Sequence, residues 1–405
     1  MNLNPIILSI PIFFGLMSIE LVYETITKKR TYRLNDAITN INLGALNQIS
    51  GIFTKVISIG IYTVVFEFFA ITLLPVDWIT FVVLFVLYDL CFYWSHRMAH
   101  TVSLFWGGHV VHHQSEDFNL TVALRQSSTA FIWSFPFYLP LAVLGFDPIQ
   151  FLTVGAFNLL YQFWIHTEHI GKIGWLEYII NTPSHHRVHH GRDPKYIDKN
   201  YAGVFIVWDR MFGTFKEEEG RPTYGITKSL NSWNPLYANF AHYIDLYNYV
   251  KQSKSWSDTK NMLFKQPGWL PNYLGGVQTP SIPTLDFHKY NADVSFLWAK
   301  LYIFVQFIGL MIVTALFLFT YKDYSYSIII GSLFWIIWST IMLGMLFESR
   351  TNFLITSEIL RLIFLPFGVW GLIQSDFNIQ LWSMIISTSF SLLSLSSIFY
   401  IYRKK

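Results

Sequence analysis

Charge is the first thing this sequence lacks. Only 13% of its 405 residues are Asp, Glu, Lys or Arg, about half the share of an ordinary soluble domain. The net charge of +3 is small, and no basic run is interleaved with base-stacking aromatics, which excludes a nucleic-acid binder. A single cysteine, Cys91, excludes an intrachain disulfide; its apolar surroundings predict a buried structural thiol. The N-terminus has no basic leader and no small-residue cleavage site, so Pro5 to Tyr23 reads as a retained span. The Glu-x-x-His pairs of soluble di-iron bundles are missing as well.

What fills the chain is apolar, with 53% hydrophobic and 19% aromatic residues. Crossing about 30 Å of hydrocarbon takes roughly 20 such residues. Apolar runs at 6–23, 46–74, 79–94, 130–146, 148–165, 301–321, 327–347, 353–373 and 381–402 predict nine spans. Gly44, Gly51, Gly60, Pro136 and Pro140 interrupt several of the early ones. The Gly145-Phe146-Asp147-Pro148 turn joins two of them as a helical hairpin. The expected class is all-α: a polytopic helical bundle with a histidine-rich cap. It divides into a catalytic domain over residues 1–296 and a C-terminal set of spans over 297–405.

Lysine and arginine placement sets the orientation. Lys28, Lys29, Arg30 and Arg33, the region from Arg187 to Lys265, and Arg403-Lys404-Lys405 fall on one face if the N-terminus lies outside. The polar stretch from His166 to Asp293 is then cytosolic, in a bacterial cytoplasmic membrane or the endoplasmic reticulum.

Eleven of the thirteen histidines lie between His96 and His190. They form His96-x3-His100, His109-x2-His112-His113 and His185-His186-x2-His189-His190, with His166 and His169 between. On a helix, residues at i, i+3 and i+4 share a face, so each box is expected to aim its imidazoles at one point. Imidazole suits iron, zinc and copper. So many nitrogens exceed the needs of one ion, and a structural zinc site takes four ligands, often with cysteine. Two metal ions follow. Two H-x2-HH boxes arise by chance roughly once in ten thousand such chains. Lone histidines such as His242 and His288 read instead as packing residues. Asp89, seven residues before His96 on the same helical face, is expected to bond a ligand histidine or else a backbone group or Arg97.

At these residues the chain resembles the fatty acid hydroxylase / sterol desaturase superfamily, and within it the alkylglycerol monooxygenase branch. The likeness runs through Phe92 to His100, Ser115 to Leu120, Ala123 to Ser127, Tyr161 to Glu168, Asn181 to Arg192, Ile197 to Tyr201 and Trp208 to Phe215. It implies a di-iron, O2-dependent membrane monooxygenase that hydroxylates the ether carbon of alkylglycerols and releases a fatty aldehyde. The implied reductant is tetrahydrobiopterin. The implied metal ligands are His96, His100, His109, His112, His113, His166, His186, His189 and His190, and His185 matches a family histidine too. His169 has no such counterpart. Thr101 departs from the acidic residue that follows the first box in animal members and goes with pterin use.

Glu116, Arg125, Glu168 and Asn181 are the polar residues expected to support the ligands, alongside Asp89. The partners implied are a membrane lipid, O2 and an electron donor, with no nucleic acid. A fatty acyl or sterol hydroxylase or desaturase is the alternative on the same metals. A metal transporter or a noncatalytic scaffold is the alternative of another class. Transport needs ionisable residues along a path, and the spans hold only scattered candidates such as Glu20, Glu67 and Glu358; Glu358 and Arg361, at i and i+3, are expected to neutralise each other.

Overall fold

The computed structural model describes residues 5–278, 288–294, 296–348, 351–373 and 377–403. Among them it is helical with no strand; one isolated bridge joins Gly191 and Tyr224. The chain divides into two compact units, Met1–Leu230 with Asn239–Lys289, and Asn231–Ala238 with Tyr290–Lys405.

The first unit opens with three long helices, α1 (Pro5–Thr27), α2 (Leu34–Phe69) and α3 (Trp78–Thr101). Asp77 and Thr80 close a reciprocal capping box at the start of α3, satisfying two N–H groups that a helix start leaves free. Helix α2 begins well before its apolar run, because Asp36, Asn40 and Asn42 are buried among other groups of the unit. Its glycines do not break it. Gly44 lets the turn at Val122–Leu124 approach: a Cβ there would sit 2.6 Å from the Leu124 carbonyl oxygen.

Short pieces follow: α4 (Ser103–Trp106), α5 (Val110–His113), α6 (Ala130–Ser134) and α7 (Leu139–Val143). Then come α8 (Pro148–Trp164), α9 (Pro183–His189), α10 (Val207–Met211), α11 (Pro235–Val250) and α12 (Trp256–Phe264). Tyr62, Leu84, Leu141, Phe151 and Val154 form the core that ties α2, α3, α7 and α8 together, with Tyr62 and Phe151 stacked at 4.1 Å.

Among the described residues, seven helices, not nine, are long and apolar enough to cross a membrane. The run at 130–146 is no single helix. Pro136 sits in the first turn of a 3-10 piece at Phe135–Tyr138 and Pro140 in the first turn of α7, where a missing N–H costs nothing, whereas in a helix interior proline removes a hydrogen bond and clashes. Helix α8 has 17 residues, about 26 Å of rise. The turn between α7 and α8 is built as expected: Gly145 adopts φ 91°, and Asp147 caps α8 by accepting from the N–H groups of Ile149 and Gln150.

The second unit is built on four long apolar helices, α13 (Leu297–Thr320), α14 (Tyr326–Glu348), α15 (Asn352–Leu372) and α16 (Phe377–Arg403). Inside it the pair expected from sequence forms: Arg361 grips Glu358 through Nε at 2.7 Å and Nη2 at 2.6 Å. Both side chains are 1% exposed. Tyr302 donates to the same carboxylate, Gln306 accepts from Arg361, and Ser394 accepts from Gln306.

Candidate metal centre

Nine histidines meet in two buried groups. His96, His100, His109, His113 and His189 form one; His112, His166, His186 and His190 form the other, the ligand nitrogens of each group lying within 4.8 Å of one another. His96 and His100 stand on the last two turns of α3, and His166 lies two residues past the end of α8. Side chains at a helix end escape the helix's own neighbours, so they can converge from several elements.

The boxes do not each aim at one point, as their spacing suggested. Both H-x2-HH boxes are split. His109 and His113 go to the first group while His112 crosses to the second; His186 and His190 go to the second while His189 crosses to the first. Among the nine, every i, i+4 pair stays together, being about 40° apart around the helix, whereas i+3 and i+4 diverge by about 100°. Helices α5 and α9 lie on the seam.

Hydrogen bonding fixes which nitrogen faces inward. A carbonyl can only accept, so a ring nitrogen bonded to one carries the proton. Nδ1 of His96 donates to the Tyr201 carbonyl at 2.7 Å, and His112 to Arg125 at 3.0 Å. His166 donates to Gln162 at 2.7 Å, and His189 to Lys199 at 3.0 Å. Their Nε2 atoms are therefore bare lone pairs. In the second group the four Nε2 atoms close a ring with edges of 2.9 to 3.2 Å. The edge between His112 and His166 joins two lone pairs, which repel unless a cation lies between them. In the first group the Nε2 atoms of His100 and His189 are buried with no hydrogen-bond partner. This donor set fits two borderline metal ions, and iron is among those that imidazole suits, with zinc and copper.

Burial, then repulsion between neighbouring imidazoles, holds His109, His113, His186, His189 and His190 well below the usual histidine range. Burial brings His112 down to about 4. Neutral imidazole is the form that binds metal.

The expected supporting residues are placed as follows. Arg125 touches the site: its carbonyl holds His112, and its guanidinium bonds the Val111 carbonyl, Asn40 and Gln114. Asp89 bonds no histidine and no Arg97. It takes the backbone alternative, accepting from Val204 and Phe205 N–H, with Asn158 and Trp208 completing four bonds. Asn181 donates to the Ala202 carbonyl at 2.6 Å. Asp89 and Asn181 thus hold the loop that carries Tyr201 and its carbonyl. Glu116 accepts from Ser229, and Glu168 pairs with Arg221 and Lys29, all away from the imidazoles. His185 joins neither group; its ring packs edge-on against Phe215 at 5.4 Å. His169 lies by Glu24 and Tyr23.

Sequence reasoning missed the acceptors themselves, because a backbone carbonyl has no residue type. It also missed Asp198, whose carboxylate lies 3.5 Å from His100 Nδ1. The only signal was the Ile197-to-Tyr201 likeness. Trp106 packs on His100 and His113, and Phe118 on His166 and His190.

Comparison with known proteins agrees with this geometry. Residues 81–214 match the fatty acid hydroxylase family model, a range that holds all nine histidines. The chain is 45% identical to alkylglycerol monooxygenase of Homo sapiens over 264 residues, 64% of this chain and 59% of that protein. It is 37% identical to alkylglycerol monooxygenase of Danio rerio over 348 residues, 84% of this chain and 77% of that protein. With the Caenorhabditis elegans protein of the same name it shares 34% over 307 residues, 69% and 60% of the two chains. The match thus spans less than two thirds of the human relative. No solved structure matches.

Proposed function

The chain belongs to the alkylglycerol monooxygenase family, and from that premise we propose that it is an integral-membrane, O2-dependent di-iron monooxygenase that opens the ether bond of alkylglycerols. The observation that carries this reading is the ring of four Nε2 atoms, in which carbonyls on the outer nitrogens of His112 and His166 turn two lone pairs on each other. His96, His100, His109, His113 and His189 would hold one iron, and His112, His166, His186 and His190 the other. Bound iron supplies the activation of O2 that no side chain can provide.

The rest is the work of this chain. Tyr201, Arg125, Gln162 and Lys199 orient four of the nine imidazoles, His96, His112, His166 and His189, through their carbonyls. Burial keeps the imidazoles neutral and ready to bind. Trp106 and Phe118 close apolar faces over the two groups and exclude water. Ligands carried on helix ends bring the site to the membrane face, where a lipid enters sideways. One oxygen atom goes to the carbon next to the ether oxygen, giving a hemiacetal that collapses to fatty aldehyde and glycerol lipid. The other leaves as water, taking two electrons and two protons from the donor.

Sidedness follows from chain parity. The two segments lost from the count of nine are adjacent, so removing both leaves the basic segments on one face, and the site is cytosolic. Tetrahydrobiopterin or a redox protein supplies the electrons; Thr101, directly after the first box, bonds back to the Arg97 carbonyl.

The test is purified protein with iron quantified and O2 consumption followed on an alkylglycerol. Two irons per chain and O2-dependent aldehyde release are expected. A single bound ion or none would undo the di-iron reading. A hydroxylated acyl chain or sterol in place of aldehyde would move the reaction to the alternative substrates.

A further inference from the structure

Beyond the metal groups, the first unit carries an amphipathic hairpin that the chemistry does not use. Helix α11 buries Asn239 and Leu246, and it turns Phe240, Ile244 and Tyr247 outward. Those three are spaced i, i+4, i+7, a single helical stripe. Helix α12 exposes Trp256, which is 80% accessible, with Lys260 and Phe264 one and two turns on along the same face. Beneath the hairpin, Leu246, Met262 and Leu270 make a small core with Leu104 and Trp269. The exposed stripe is therefore not the packing face.

The place of the hairpin says what covers it. Helix α3 is one of the apolar spans, and it ends at Thr101. Two residues later, the Ser103 carbonyl accepts from His242 of α11 at 2.8 Å, and the Ser103 N–H donates to the Lys265 carbonyl beyond α12 at 2.8 Å. Both helices are thus pinned to the point where a span leaves the bilayer. The ring of Tyr243 lies over Gly107, and its hydroxyl accepts from Trp133 at 2.8 Å.

Charge completes the pattern. Lys251 lies over the Tyr247 ring at 4.5 Å, Lys254 over Tyr273 at 4.5 Å, and Lys265 over Trp269 at 4.6 Å. Lys251 follows Tyr247 by one turn on the apolar stripe itself. Ammonium groups beside the exposed rings of Tyr247 and Tyr273 suit the phospholipid head-group layer, with apolar rings below the phosphates and lysines among them.

We propose that the α11–α12 hairpin lies in the head-group layer of the membrane, inserting Phe240, Ile244, Tyr247 and Trp256, and so seats the end of α3 at a fixed depth. His96 and His100 stand on the last two turns of α3, so the anchor also fixes how far the metal groups sit from the acyl chains.

Depth-dependent quenching tests this on the full chain in phospholipid nanodiscs. Cys91→Ala leaves a single thiol when Ile244→Cys is introduced and labelled with an environment-sensitive fluorophore. Asp245→Cys, off the stripe and paired with Lys228, is the matched control. Lipid carrying a nitroxide high on its acyl chain is expected to quench the label at 244 about twofold or more, with aqueous iodide ineffective, and the reverse at 245. Equal iodide quenching at the two positions overturns the proposal. So does a label at 244 shielded from both quenchers, which would put protein over the stripe. Tyr247→Cys repeats the measurement should Ile244→Cys fail to fold.

Discussion

Each unit buries a polar cluster, and the two clusters are satisfied in opposite ways. In the C-terminal unit, Glu358 and Arg361 face each other in bidentate contact. Tyr302, Gln306 and Ser394 take up what is left. Donors meet acceptors and charge meets charge within the chain. In the histidine unit, hydrogen bonds do the reverse: they spend the donors on outer carbonyls and leave lone pairs facing lone pairs. A cluster that closes on itself asks only to be folded. One that turns the lone pairs of His96, His112, His166 and His189 inward needs something the chain does not contain.

The contrast can be broken first at its strongest point. His112→Ala or His189→Ala should lower O2-dependent turnover by more than about 100-fold and reduce bound iron at both positions, read by metal analysis of the purified protein. Full turnover in either variant would end the ligand assignment. Next in size is the closed cluster. Glu358→Gln strands the Arg361 charge and should destabilise the protein by about 3–5 kcal/mol, seen as a lower unfolding temperature in detergent. Replacing the pair together, as Glu358→Leu with Arg361→Met, should restore most of that stability, and iron content should be unchanged throughout. A loss of iron in the double variant would show that the second cluster is not merely structural.

A smaller effect is expected at Asp198. Its φ of 57° suits asparagine, so Asp198→Asn removes only the charge facing His100. Iron affinity should fall about 10-fold, measured by competition with a chelator. The smallest effect concerns the metal-free protein and pH. His112 stays neutral in the fold down to about 4, while in an unfolded chain it takes a proton near 6.5. The unfolded state therefore binds more protons below 6.5, and stability falls as pH drops from there toward 4. Asp209, pushed up to about 6 by burial, works the other way but is one group against several. Thermal unfolding of metal-stripped protein at pH 7.5 and 5 should show the histidine trend, and no change would mean the imidazoles are protonated in the fold.

Much of this was legible in the residues. Box spacing pointed to two metals, and Glu358 with Arg361 was readable as a pair because its contact is local, three residues apart. The failures have the opposite character. Asp89 shares a helix face with His96, yet its partners Val204 and Phe205 come from more than 100 residues away. The same distance hid the Tyr201 carbonyl that orients His96. The run at 130–146 reads as a span by hydropathy, and two prolines overrule it. His185 adjoins a ligand, but neighbours on a helix point about 100° apart, which turns it toward Phe215.

The crossing of His112 and His189 has a further consequence. Each short H-x2-HH helix is a shared wall, contributing to both compartments at once. An ion that fills one compartment also steadies both helices, and with them three of the nitrogens that would hold the second. Occupancy should then climb steeply with metal concentration, with little of a half-filled form. A substitution that spoils one compartment should, by the same sharing, disturb the other.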